Sequence, residues 1–201
     1  MSSPLSSRLL EWRCEIAIAG GYLQDFYRAI DRKQWDRACR MSRSASEALT
    51  RHHPESRLLV AKGRDELQSR RPLPDWQNER YAWLMAIKAL MCLAAFYAMA
   101  DSEDKSVKGL HGMRTECSRA LAIALLAAKT AFPEDDLQRL VEEALDQSLS
   151  ATEMTLEADL RVSETSGEVD PKALAATAKI SCEEPLRAFV MNCIRPGFNL
   201  T

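Results

Sequence analysis

This sequence contains few of the residues from which sheets and turns are built. Its 201 residues include only seven glycines and eight prolines, and aromatic side chains make up 6%. Runs of β-branched residues and alternating polar and apolar positions are missing as well. Because strands are enriched in β-branched and aromatic residues, these shortages disfavour a sheet. Ala, Leu, Arg and Glu recur at helical spacing along most of the chain, which predicts an all-α fold.

Catalytic and metal-binding motifs are also missing from the sequence. The chain has three histidines, and no second pair of potential ligands accompanies His111 and Cys117, which lie six residues apart. There is no Gly-x-Ser-x-Gly, no glycine-rich phosphate loop, and no Ser or Cys with an evident His partner. The sequence therefore predicts a non-enzymatic protein and indicates no catalytic residue, no cofactor and no metal site.

The cysteines and the amino terminus predict a cytoplasmic protein. Six cysteines are scattered without a Cys-x-x-Cys pair, which favours small core residues in a reducing compartment over a disulfide framework. Charges at Arg8, Glu11 and Arg13 interrupt the first residues, so they lack the apolar region of a secretory signal.

The longest apolar segment, residues 81–100, contains Lys88 as its only charge. A helix that is apolar nearly all round must be covered by other helices or by lipid. Residues 81–100 and 113–132 are long enough to form a membrane hairpin, but Lys88, Arg119 and Lys129 would each cost a few kcal/mol in hydrocarbon. We therefore expect a soluble core pair and no membrane partner, with Lys88 either reaching solvent along its aliphatic stem or pairing with a buried carboxylate.

Helix-breaking residues divide the chain into eight to ten predicted helices with short connections, arranged as a bundle or array of hairpins around the Ala-rich central pair. Gly20 and Gly21 are expected to end the first helix, and residues 101–112 to form a polar loop. The predicted helices are 5–19, 22–30, 33–50, 55–68, 76–100, 113–132, 134–149, 150–162, 171–181 and 185–194.

A single all-α domain over residues 1–201 is the expected organisation, since this length suits one core. Pro72 and Pro74 indicate a subdivision, because two prolines in three residues cannot continue a helix. Residues 1–71 would then form basic helical hairpins, and residues 75–201 the apolar core pair with acidic helices. Residues 195–201 would form a tail.

The formal net charge of −2 conceals a strong asymmetry along the chain. Residues 28–71 contain twelve Lys or Arg against six Asp or Glu, an excess of six positive charges. Residues 134–170 contain two basic and twelve acidic residues, an excess of ten negative charges. Helical spacing gathers many of these charges on two predicted surfaces. The basic face comprises Arg28, Arg32, Arg37, Arg40 and Arg43, and the acidic face comprises Glu134, Asp135, Asp136, Glu142, Glu143 and Asp146.

These two faces predict an interaction protein, an adaptor or regulatory module that binds a protein partner or a second copy of itself. The alternative is a nucleic-acid-associated protein, or a small subunit of a nucleoprotein complex, that uses the basic face with Trp35 or Tyr27 as stacking surfaces. A pI near 6.0 is low for a nucleic-acid-binding domain. Either run of charges could also be an ordinary solvated helix surface.

Overall fold

The fold is described from a computed structural model over residues 4–51, 75–102, 107–131, 175–176 and 178–198. These residues contain five α-helices and no strand, so the all-α prediction is confirmed. The α-helices are α1 (Pro4–Asp31), α2 (Trp35–Thr50), α3 (Asp75–Asp101), α4 (Val107–Ala131) and α5 (Glu184–Phe198). A short π-helix, Lys179–Glu183, directly precedes α5. The predicted helices 55–68, 134–149 and 150–162 lie outside the described residues.

The first helix runs through Gly20 and Gly21, so the predicted break there is wrong. Each glycine costs about 1 kcal/mol relative to alanine inside a helix. The same helix buries Leu23 and Phe26 completely, and one such side chain contributes about 1.5–3 kcal/mol on burial. Packing of α1 against its neighbours therefore outweighs the local preference of the two glycines.

A tight turn joins α1 to α2. Lys33 adopts the left-handed conformation, with φ of 54°. Its N–H donates to the Ile30 carbonyl oxygen at 2.9 Å, and the Gln34 N–H donates to the Ala29 carbonyl oxygen at 2.8 Å. These bonds use carbonyl groups that the end of α1 would otherwise leave without partners. The turn places α2 against α1, where Ala38 and Leu49 are fully buried.

Helices α3 and α4 form the predicted central pair and have the most extensive contact in the described fold. Small residues allow the two helices to pack closely; Ala82, Ala86, Ala89, Ala94, Ala120, Ala124 and Ala128 are all at most 1% exposed. Helix α3 also contacts α2, α5 and the π-helix. The segment Glu79–Asp101 is the one stretch of the described helices long and apolar enough to cross a membrane, and 61% of its most apolar window is buried. A core helix of a soluble bundle has the same length and composition.

The charge in the middle of α3 is paired. Lys88 Nζ lies 2.6 Å from Glu116 Oε1 on α4, and both side chains are about one-third exposed. Arg119 also hydrogen-bonds Glu116. Lys88 thus pairs with a carboxylate at the edge of the α3–α4 interface, but this carboxylate is partly exposed rather than buried as expected.

Glu116 should make the stability of the fold depend on acid pH. Partial burial raises its pKa, but the hydrogen bonds and charges of Arg119 and Lys88 prevail and hold the pKa below its ordinary value of 4.5. A carboxyl whose pKa is lower in the folded chain stabilises the fold above its unfolded pKa, and this contribution is lost as pH falls through the folded pKa. We expect Glu116→Gln to cost about 0.2–1 kcal/mol at neutral pH.

The measurement compares urea unfolding of the wild type and Glu116→Gln at neutral pH and near pH 3. The difference should shrink in acid as the wild-type carboxyl takes up its proton. A difference that stays constant across this range would show that the ion pairs with Lys88 and Arg119 do not stabilise the fold.

Several boundaries differ from those predicted. Helix α5 continues to Phe198, so residues 195–198 are helical rather than the start of a tail. Helix α4 begins at Val107, so residues 107–112 are helical rather than part of a loop, and Leu110 is fully buried there. The predicted break near residues 181–185 is instead the π-helix, which continues directly into α5. Its wider turn accommodates Pro185, because proline has no N–H for a helical bond to the Ser181 carbonyl and its ring crowds that group.

Candidate interaction site

A positively charged groove lies where the α1–α2 turn and the start of α2 face the last turns of α3. Its volume is about 540 Å³. The residues that line it define the basic groove: Lys33, Gln34, Trp35, Asp36, Arg37, Arg40 and Ala98. Three cationic side chains and one carboxylate therefore face this space, giving it an excess of positive charge.

Most of the predicted basic face has no anionic partner. Within the described ranges, Arg32, Lys33, Arg37, Arg40 and Arg43 form no ion pair, and we call these residues the unpaired cations. Four of them are exposed and Arg37 is half-buried. Arg28, the remaining member of the predicted face, differs because its guanidinium lies 2.9 Å from Asp25. Of the five predicted arginines, Arg37 and Arg40 therefore line the basic groove with Lys33, and Arg28 is paired with Asp25.

The spacing of these cations does not stabilise α2. Arg37 and Arg40, and Arg40 and Arg43, are three residues apart, so neighbouring charges of the same sign share one side of the helix. Each such pair costs about 0.2–0.5 kcal/mol. Carboxylates from another molecule would relieve this repulsion and accept paired hydrogen bonds from the guanidinium groups.

Trp35 is held rigidly at the edge of the basic groove. Its ring stacks on Tyr97 of α3, with centroids 5.2 Å apart and planes 26° from parallel. Its Nε1–H donates to Asp101 Oδ2 at 3.0 Å. Trp35 is half-buried and so keeps part of its surface available. A fixed, partly exposed tryptophan beside arginines has the composition of an interaction hot spot, and its fixed position lowers the entropy lost on binding.

A polar network leads from Tyr97, on which this tryptophan stacks, to α1 and α5. The Tyr97 hydroxyl donates to Glu183 Oε2 at 2.6 Å. Burial, followed by the hydrogen bond to Glu183 and the charge of that carboxylate, raises the pKa of Tyr97, so the phenol stays protonated and remains a donor. Glu183 Oε1 lies 3.5 Å from Arg187, whose guanidinium lies 2.6 Å from Asp31 Oδ1 at the end of α1. The network thus ties α1, α3 and the start of α5 together below the basic groove.

Some predicted contributors are not available for contact. Tyr27 is 2% exposed, and the Cζ atom of Arg187 lies over its ring, 4.8 Å from the ring centroid. The prediction that Tyr27 is a stacking surface for a base is therefore wrong. Its neighbours in the core leave no room for a base. The predicted acidic face, Glu134, Asp135, Asp136, Glu142, Glu143 and Asp146, lies outside the described residues and stays a prediction.

Sequence reasoning missed the partners that position the site. Asp101 and Tyr97 follow Trp35 by more than sixty residues, and no local pattern links them. The sequence also does not indicate that Ala98 lines the groove, because its position there follows from how α3 packs on α2.

The described residues contain no group of three or more His, Cys, Asp or Glu side chains that could hold a metal ion. Comparison with family models, with curated proteins and with solved structures gave no match. The fold and the site define the chain as an all-α helical bundle with a basic groove beside its central helix pair.

Proposed function

We propose that this protein is a non-enzymatic helical interaction module that binds an acidic segment of a protein partner in the basic groove. The observation that carries the proposal is that three of the unpaired cations, Lys33, Arg37 and Arg40, line a groove together with a tryptophan held by Asp101. Charge complementarity of this kind steers association and selects partners, while the tryptophan contributes buried apolar area.

The geometry favours a helix or extended segment that carries several carboxylates. The basic groove presents Lys33, Arg37 and Arg40 from consecutive turns of backbone. Carboxylates spaced three or four residues apart on a partner helix would face successive cations. An apolar side chain between them would pack on Trp35 and Ala98.

Nucleic acid is the alternative partner for the same cations, and it has less support. The full chain carries a formal net charge of −2, which opposes binding to a polyanion outside the groove. Tyr27 is buried, and one face of Trp35 is covered by Tyr97, so an aromatic platform for several bases is lacking among the described residues.

Charge reversal at the basic groove should abolish binding of an acidic probe. The probe is a labelled synthetic helix with Glu at every third or fourth position and one Leu near its centre. We expect Arg37→Glu with Arg40→Glu to weaken its binding at least about tenfold, because both guanidinium groups lose their carboxylate partners and become repulsive. Fluorescence anisotropy at two salt concentrations measures the affinity, which should fall as salt rises.

The matched control is Arg13→Glu with Lys179→Glu, which makes the same change in net charge on two other exposed positions. Its affinity for the probe should stay near that of the wild type. Equal binding by the Arg37/Arg40 variant would refute the groove as the site. Binding of duplex DNA or single-stranded RNA, with none of the acidic helix, would replace the proposal by the nucleic-acid alternative.

A further inference from the structure

The side of α1 that is turned away from the core is a separate surface, and none of its residues lines the basic groove. Ile18 is 55% exposed and Tyr22 is 37% exposed, and these two apolar side chains are one turn apart. Exposed and half-buried residues extend this surface over about five turns of helix. We call the set the outer face of α1: Glu11, Cys14, Ile18, Gly21, Tyr22, Asp25 and Arg28. Apart from Tyr22, neighbouring members are alternately three and four residues apart, the spacing at which one helix meets another in a coiled coil.

Gly21 lies near the middle of the outer face, and packing within the chain does not require a glycine there. A Cβ at Gly21 would meet no heavy atom of the described residues within 4 Å, beyond its chain neighbours and the backbone of its own helix. Alanine would therefore fit, and it would favour the helix, because glycine is a poor helix former. An exposed glycine does, however, let the backbone of another helix approach closely. The open space over Gly21 is thus a place where a side chain from a second helix can pack.

We propose that the outer face of α1 binds the same face of a second copy of this chain, with the two helices antiparallel. A two-fold axis between residues 19 and 20 brings Ile18 of each copy opposite Gly21 of the other, where its side chain fills the open space. Tyr22 borders this central contact and adds apolar area to it. At both ends of the interface, Glu11 of one copy lies opposite Arg28 of the other.

Charge complementarity selects both the second copy as the partner and the antiparallel direction. Glu11 and Arg28 stand at opposite ends of the outer face, and both are exposed. Two antiparallel copies pair each carboxylate with a guanidinium, and the symmetry makes this pairing twice. In a parallel pair, Glu11 would face Glu11, Asp25 would face Asp25 and Arg28 would face Arg28, so like charges would repel at every charged position. The outer face is therefore complementary to itself in one direction only.

Charge-reversal variants test the pairing of Glu11 with Arg28. Glu11→Arg makes both ends of the outer face positive, and Arg28→Glu makes both ends negative. Each variant alone should therefore self-associate at least about tenfold more weakly than the wild type. An equal mixture of the two variants should form dimers again, because every end then meets the opposite charge. Sedimentation equilibrium over a concentration series at low salt measures the association, and circular dichroism verifies that each variant keeps its helices.

Disulfide cross-linking through Cys14, which is exposed, tests the direction and register of the two helices. In the antiparallel dimer Cys14 lies opposite residue 25 of the second copy, while the two Cys14 residues are about 16 Å apart along the helix axis. A disulfide cannot span that distance. We expect Asp25→Cys to give a covalent dimer on mild oxidation with diamide, with a peptide map that links Cys14 to position 25. The wild type should give none, and neither should Lys179→Cys, the matched control with an added cysteine at another exposed position.

Three results would overturn the proposal: a wild type that is monomeric across the concentration series, a mixture of the charge variants that does not regain association, or a wild-type dimer linked through Cys14 to Cys14. Ile18→Asp places a charge at the centre of the outer face, at a position exposed in the single chain, and should abolish the dimer. A dimer that persists in Ile18→Asp uses another surface and also refutes the proposal. None of these outcomes bears on the basic groove, because its residues lie outside the outer face.

Discussion

Replacing Glu15 by leucine is expected to lower the free energy of unfolding by about 3–5 kcal/mol. Glu15 Oε2 lies 2.9 Å from the Arg80 guanidinium, and these side chains are 6% and 3% exposed. The guanidinium also lies over the Trp12 ring, 4.8 Å from its centroid, and donates to the Leu49 carbonyl oxygen at 3.3 Å. Loss of the carboxylate would remove the anion that lies 2.9 Å from this buried positive charge. Urea unfolding of the variant measures the effect.

Two further variants show whether burial causes this loss. Arg28→Met breaks the exposed pair with Asp25, whose side chains are 66% and 37% exposed, and should cost less than about 1 kcal/mol. Combining Glu15→Leu with Arg80→Met removes both buried charges and should recover much of the stability lost in Glu15→Leu. If Glu15→Leu cost no more than Arg28→Met, the Glu15 carboxylate would not be what stabilises the buried Arg80 charge.

The central helix of this fold can be predicted from the sequence, because the composition of one segment is enough to show that it must be buried. Residues 81–100 contain a single charge, and no arrangement in water leaves such a helix uncovered. The small residues of α3 and α4 likewise indicate close packing. The partner of Lys88 was within reach of the same reasoning, since a charge inside an apolar helix needs either solvent or a carboxylate.

Other features depend on contacts between distant residues, which one sequence does not reveal. The continuity of α1 through Gly20 and Gly21 is decided by packing of Leu23 and Phe26 rather than by local propensity. By contrast, the pairing of Arg28 with Asp25, three residues earlier in α1, follows from helical spacing and was within reach of the sequence. Cys182 looks like any small core residue until the fold places Ser118 of α4 beside it.

Truncating Phe96 to alanine is the other change with a large expected effect, a loss of about 3–5 kcal/mol. Phe96 is fully buried in α3, and its ring lies 5.6 Å from that of Tyr97 in an edge-on arrangement. Because α2, α4 and α5 all contact α3, the surrounding helices cannot easily close the cavity. Thermal or urea unfolding in buffer without detergent gives the measurement.

Leu126→Ala is the matched control, since it also shortens an apolar side chain on the central pair, at a position that is 46% exposed. It should change stability by less than about 0.5 kcal/mol. The contrast between the two variants tests the central claim about α3, because a helix that faced lipid would gain nothing from Phe96 in detergent-free buffer. Equal effects would mean that Phe96 is not enclosed by the other helices. A large loss for Phe96→Ala alone places the apolar helix inside a water-soluble core, with the basic groove held on its outer edge through Tyr97 and Trp35.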